Sequence, residues 1–337
     1  MDKIGIGLIS CGTMGTSLGN GLVNVEAAKL VAVADVDEAK AKEAGEKFSA
    51  DVHTDYHELL ARDDIQGVIV ASPQFLHCPM TLDAAAAGKH VFTEKPMSTN
   101  VADCDKMVAA CNENGVKLQV GQVCRFHGVH GKVKELATSG ELGTPTCIKV
   151  HRIGGGWGKG SWSRGWRFSM EKSGGVLMEI SAHEIDFMRF VCGDVETVFA
   201  VGGIYRQREA DYPDIQLVSM KFKSGAVGVL HASQASALGG YGGQVDCTEG
   251  SVGFPAIWGE GAGVNYAKFG GETSFIPAGD IKVEVPVQHE LRLFVEAIRD
   301  DTPVPVPGEE GRAAVEIAQA AYQSIETGQP VKLPLPR

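Results

Sequence analysis

From residue 3 to about residue 121 the chain alternates short apolar runs with segments of helical period, and this rhythm constrains the fold more than any other feature. The runs Ile4–Ile9, Leu30–Ala34, Gly67–Ala71, His90–Thr93 and Lys117–Val120 read as strands. Asp55 and Ser98–Asn100 stand as helix caps between them, with Gly88 and Gly115 as stops. Strand and helix alternating at this spacing build βαβ units, hence a parallel sheet. After residue 121 the rhythm gives way to the strand-like stretches Thr146–Arg152, Val195–Val201, Gln216–Phe222 and Ala226–Ala232. The expectation is an α/β chain of two domains. Residues 1–123 form a doubly wound parallel sheet, and residues 124–337 an α+β domain on a large, mainly antiparallel open sheet. Thr302–Gly308 (TPVPVPG) reads as a connector, and Glu309–Thr327 as a closing helix.

The first turn, from Gly7 through Ser10, Cys11, Gly12, Thr13 and Met14 to Gly15, lies where a dinucleotide fold opens backbone N–H groups to a pyrophosphate. Gly12 lets the backbone approach phosphate, and Gly15 lets the helix pack on the strand. Ser10 occupies the place of the first glycine of a GxGxxG fingerprint, so the turn alone is a weak signal. Asp35 strengthens it. Standing twenty residues beyond Gly15 at the end of the second strand, its carboxylate suits the ribose hydroxyls of NAD and repels the 2'-phosphate of NADP. No Arg or Lys follows at Val36-Asp37-Glu38, which favours NAD.

Composition narrows the class of partner. With Asp+Glu at 42 against Lys+Arg at 31, the net charge of -11 argues against nucleic acid and anionic membranes and for a small-molecule ligand. No run of eighteen apolar residues suggests a membrane span. Eight cysteines without a CxxC pair or zinc-type spacing suggest reduced thiols, no metal and a cytoplasmic location; the opening residues read as a strand and not as a signal peptide. The 43 glycines, about twice the usual share, call for tight turns and close backbone approaches.

Two further stretches sit at the carboxyl ends of the fourth and fifth strands, where such sheets bind ligands: Ser72–His77, and Glu94-Lys95-Pro96. A lysine there could exchange a proton near neutral pH, whereas an isolated one would be a surface cation before a turn. In the second domain, Gly174-Gly175 leads into a segment read as a single helix. On it Glu179, His183 and Asp186 fall at i, i+4 and i+7, one polar line on an otherwise apolar surface. No HExxH spacing accompanies His183, which disfavours a metal.

These motifs, in this order, resemble the Gfo/Idh/MocA oxidoreductase family. The likeness runs through EKP at 94–96, Gly121–Phe126 with Arg125, Gly140–Gly143 and Gly174–Asp186 to the tail. It implies a Rossmann domain followed by a substrate and oligomerisation domain. It further implies that Lys95 and His183 act at a substrate hydroxyl with Glu179 in support, all three contacting substrate. Cys11, Gly12, Thr13, Met14, Asp35, Ser72, His77, Glu94, Lys95 and Arg125 would line the NAD site, with Trp166 and Arg167 reaching it from the second domain. The implied activity is NAD-dependent oxidation of a secondary hydroxyl of a sugar, cyclitol or sugar derivative by a homodimer or homotetramer. Two family alternatives are a glycosidase assisted by transient oxidation and a sugar-sensing regulator without turnover. Ser10 departs from the family's glycine. Glu179 stands where inositol dehydrogenases have Asp.

The segment Arg152–Phe168 gathers Trp157, Trp162 and Trp166 with four basic residues among glycines. Three readings remain open: nucleic-acid stacking, which the acidic net charge disfavours; a subunit contact; or a lid in which Arg152, Trp157 and Trp162 hold a polyol or a carboxylate. Gly239–Gly243 reads as a mobile loop.

Overall fold

A computed structural model describes residues 3–156 and 165–336. The expected strands of the first half all form, and the order is β1 (Ile4–Ile9), α1 (Thr13–Leu22), β2 (Ala28–Ala34), α2 (Glu38–Phe48), β3 (Asp51–His53), α3 (Tyr56–Leu60), β4 (Gly67–Val70), α4 (His77–Ala86), β5 (His90–Glu94), α5 (Val101–Glu113) and β6 (Leu118–Gly121). Their caps follow the sequence: the side chains of Asp37, Asp55 and Asn100 accept backbone N–H groups at the starts of α2, α3 and α5. The six strands lie in the order β3-β2-β1-β4-β5-β6, and every pairing is parallel. That is the doubly wound dinucleotide-binding topology, which reverses between β1 and β4.

The second half continues with α6 (Gly128–Thr138), β7 (Pro145–Ile153), α7 (Met170–Ser173), α8 (Gly175–Glu179), α9 (Ala182–Cys192), β8 (Val195–Gly203), β9 (Ile215–Phe222), β10 (Val227–Ser233), β11 (Gly240–Cys247), β12 (Gly250–Phe254), β13 (Gly263–Lys268) and β14 (Ser274–Pro277). After these come α10 (Pro286–Arg299), α11 (Gly308–Thr327) and β15 (Val331–Lys332). The second sheet runs β14-β13-β12-β11-β7-β10-β9-β8-β15 and is antiparallel throughout except between β7 and β10. β9 alternates buried and exposed residues, as expected of a sheet with one covered face.

Three expectations change. The chain forms two units, but not by a single cut: residues 124–283 and 313–337 make the second, while Glu284–Arg312 joins residues 1–123. The cause is α10. It places Leu291, Phe294 and Val295 in the same buried cluster as Ile6, Leu8, Leu18, Leu22 and Phe92, so returning to the first unit removes a wide apolar stripe from water. The segment after Gly174-Gly175 that carries Glu179, His183 and Asp186, read as one helix, is two, because the backbone turns at Ile180-Ser181, where both N–H groups bond the Val176 carbonyl. Gly240–Gly243, read as a loop, is the first half of β11.

Candidate active site

The turn between β1 and α1 is built around Ser10 and Asp35. Ser10 adopts a left-handed backbone (φ 77°), the conformation for which a glycine is usual at this place. Gly15 is required because a Cβ there would fall on the Ser10 carbonyl. Asp35 holds the turn from below, its carboxylate accepting the Cys11 N–H at 2.8 Å and the Asp37 N–H at 2.9 Å. The Cys11 thiol is buried, and burial followed by the Asp35 charge pushes it up to about 12, so this residue offers backbone and not a thiolate. A Cβ on Gly12 would meet almost nothing within 4 Å. α1 begins there without a side-chain cap and with no acidic residue in its first turn, leaving the helix N-terminus suited to a pyrophosphate. The residues present fit a dinucleotide.

At the carboxyl ends of β4 and β5, His77 is buried. Its Nδ1 lies 2.9 Å from the Pro96 carbonyl and its Nε2 2.8 Å from the Ser72 carbonyl. It therefore joins the two ligand-side turns of the sheet. Glu94 accepts the backbone N–H of Lys95 at 3.0 Å, and Lys95 is half-buried. Ser72 and Glu94 are almost wholly buried, whereas Thr13 and Met14 are exposed.

Sequence reasoning missed Glu290. Phe294 packs edge-on against Phe92, so one turn earlier on α10 Glu290 comes over the strand end that carries Glu94, and Gln119 donates to its backbone carbonyl at 3.0 Å. Glu290 is wholly buried, neither carboxyl oxygen has a hydrogen-bond partner among the described residues, and burial together with the neighbouring Glu94 holds its carboxyl well above the usual range. A raised folded-state pKa gives stability that is complete below the ordinary value near 4 and is lost as pH rises toward the folded one. Wild type should thus lose on the order of 1 kcal/mol per pH unit through that window, a slope Glu290→Gln cannot have. Thermal unfolding should show the variant's advantage over wild type growing as pH rises above 5; a constant difference would contradict the assignment.

In the second unit, Glu179 at the end of α8 is buried and accepts from Arg167 Nε at 2.7 Å, while the Arg167 guanidinium lies 4.2 Å over the Trp166 ring. His183 follows on the first turn of α9, half-buried. Asp186 does not continue a functional line. It is paired through two hydrogen bonds, at 2.6 and 2.7 Å, with Arg125, which also stacks over Phe190. Only 8% of the Arg125 side chain is exposed, so its guanidinium braces the second unit through Asp186. Trp157 and Trp162 lie outside the described residues. Arg152 is half-buried on β7 beside Tyr241 of β11 and Trp258 of the loop after β12, two aromatic residues that carried no signal in the sequence because the strand pairing that brings them to Arg152 is not visible there. Among the described residues no group of three His, Cys, Asp or Glu is placed to share a metal ion, and all eight cysteines are free thiols. No helix among them is long and apolar enough to cross a membrane.

A parallel sheet in this strand order, with an uncapped helix after a glycine turn and an acidic residue ending the second strand, defines a dinucleotide-binding protein. Comparison with known proteins narrows this. The NAD-binding Rossmann fold of the oxidoreductase family matches residues 4–122, the Gfo/Idh/MocA C-terminal domain residues 130–253, and the family's C-terminal alpha/beta domain residues 284–333. The chain belongs to the Gfo/Idh/MocA oxidoreductase family, and its first unit is an NAD-binding domain. It is 30% identical to myo-inositol 2-dehydrogenase of Thermotoga maritima over 97% of this chain and 98% of that one. It is 34% identical to 2,7-anhydro-N-acetylneuraminate hydratase of Mediterraneibacter gnavus over 70% of this chain, a match spanning 63% of that protein's length. Aldose-aldose oxidoreductase from Caulobacter crescentus, crystallised with glycerol, superposes with a TM-score of 0.88 at 26% identity, covering 98% of this chain and 100% of that one.

Proposed function

We propose that the protein oxidises a secondary hydroxyl of a sugar, cyclitol or sugar derivative, using NAD. What carries this reading is an NAD-binding domain joined to a domain in which His183 opens a helix next to the buried Glu179–Arg167 pair. Gly12, Thr13 and Met14 would hold the pyrophosphate, and Asp35 the adenosine ribose. Ser72, Glu94, Trp166 and Arg167 would contribute to the remainder of the site. Bound NAD supplies an acceptor for the hydride that leaves the carbinol carbon. His183 takes the hydroxyl proton, Lys95 polarises that oxygen, and Glu179 fixes Arg167 and with it the Trp166 ring. His77 orients Lys95 by joining the Pro96 and Ser72 carbonyls. Purified protein supplied with NAD and a panel of sugars and inositols should form NADH with at least one of them. If none is oxidised, the reading fails.

One relative supports a second reading, because a hydratase achieves no net oxidation. In that case the nicotinamide would be restored within each turnover, and product would form without NADH.

The exposed face of the second sheet carries Phe199, Val201, Leu217 and Val227, each between 39% and 51% exposed. A homodimer or homotetramer would cover this apolar row. Light scattering of the full chain should give a dimer or tetramer mass, and a monomer would refute that assembly.

A further inference from the structure

The second unit contains a cavity of about 790 Å³ lined by Arg152, Ile180, Gln234, Tyr241 and Trp258 together with glycine backbone. Ile180 follows Glu179 directly, so the cavity borders the turn that separates α8 from α9. Arg152 on β7 stands across the strand pairing from Tyr241 on β11. Its guanidinium carbon lies 4.4 Å from the centre of the Tyr241 ring and 5.4 Å from that of Trp258, and the two rings meet edge to face at 5.5 Å. The corner is rigid on its inner side. Tyr241 is buried and shares a 2.9 Å hydrogen bond with Nε2 of the wholly buried His130, whose ring packs in turn against Phe187 and Phe254.

Among the described residues Arg152 has neither a carboxylate partner nor an acceptor for its N–H groups. This sets it apart from Arg125, Arg167, Arg189, Arg292 and Arg312, each of which is paired with an acid. A guanidinium held by its face keeps its N–H edge for hydrogen bonding, and a carboxylate or phosphate meets that edge with two parallel bonds. Cation–aromatic contact fixes the group in advance, so little side-chain entropy is lost on binding. A cation with no ion-pair partner among the described residues also attracts anions, here against a chain of net charge -11 and with the buried Glu184 carboxylate acting on the same Tyr241 hydroxyl.

We infer that this cavity takes the substrate and that Arg152 recognises an anionic group on it, so the preferred substrate is a sugar or cyclitol derivative bearing a carboxylate or phosphate. The inference rests on the reading of the protein as a sugar or cyclitol oxidoreductase, and it can fail separately. The full chain is titrated with glucuronate, gluconate, glucose 6-phosphate, glucose and myo-inositol, following tryptophan fluorescence, and each compound is then assayed for NADH formation. At least one anion should bind about tenfold to a hundredfold more tightly than its neutral counterpart, with affinity falling as salt is raised. The carboxylate and phosphate arms show which group is read. In Arg152→Met the ratio of acid to neutral affinity should collapse to near one, and Arg152→Lys should retain part of it. Equal binding of neutral and acidic compounds by wild type, or an undiminished preference in a folded Arg152→Met, would overturn the inference. Anion binding that depends on Arg152 but yields no NADH would leave it standing while refuting oxidation; NADH formation from neutral compounds alone would do the reverse.

Discussion

Replacing His183 with alanine should lower kcat by at least about a hundredfold, the contribution of a positioned proton-transfer group, and Lys95→Ala should do the same. The proposed reaction has one proton to move for each hydride, and both residues serve that proton. Their effects should therefore not add: the double variant should be little slower than the worse single one. His183 stands where a loss of function need not be a loss of fold. It is half-buried on the first turn of α9, while the apolar side of that helix, through Ile185, Phe187 and Met188, is buried. Lys95 is likewise half-buried, and its turn is held by the backbone contact to Glu94 and by His77 at Pro96. Unfolding temperatures close to wild type, NAD affinity retained and turnover lost is the expected pattern. Steady-state kinetics with thermal scans decides it, and a drop in turnover of less than about tenfold in both variants would show that neither residue handles the proton.

Arg125→Ala should have the largest effect on stability. The side chains of Arg125 and Asp186 are 8% and 1% exposed, and two short hydrogen bonds satisfy both groups. Removing the cation leaves a buried carboxylate with its principal partner gone, which costs about 3–5 kcal/mol. For a protein of this size the melting temperature should fall by roughly 10 °C. Combining Arg125→Met with Asp186→Leu should recover much of the loss, since the desolvation of two charges no longer has to be met. The two functions open to Arg125 separate cleanly here. A cofactor contact would weaken NAD binding and leave the melting temperature unchanged; a brace within the second unit lowers the melting temperature first.

The first unit was legible from the sequence because each of its elements announces itself locally. The apolar runs are bounded by caps such as Asp55 and Asn100, and the turn at Ser10–Gly15 is followed at the right interval by Asp35. Even the departure at Ser10 was readable, since the serine adopts the left-handed backbone expected of the glycine it replaces. What escaped depends on partners distant in the chain. Gly242 and Gly243 read as loop because glycine is disfavoured in strands. In β11 they are needed because a Cβ would press on the Phe254 and Lys149 carbonyls, neighbours that only the sheet supplies. The return of α10 to the first unit depends on Leu291 and Phe294 meeting Leu18 and Phe92, which its amphipathic pattern cannot specify. Glu179, His183 and Asp186 share a helical spacing, yet the turn at Ile180-Ser181 separates the first from the others, and Arg125 claims the last. The same limit hid Tyr241 and Trp258 behind an Arg152 that the sequence did single out.

The central claim is the removal of hydride from a carbinol carbon to NAD, and isotope transfer tests it most directly. Protein is incubated with NAD and sugars or cyclitols deuterated at every carbinol carbon, and the nicotinamide is recovered and weighed by mass spectrometry. NADH that accumulates one deuterium heavier than normal is the predicted result. Unlabelled NADH, or product formed with no NADH accumulating, would contradict it.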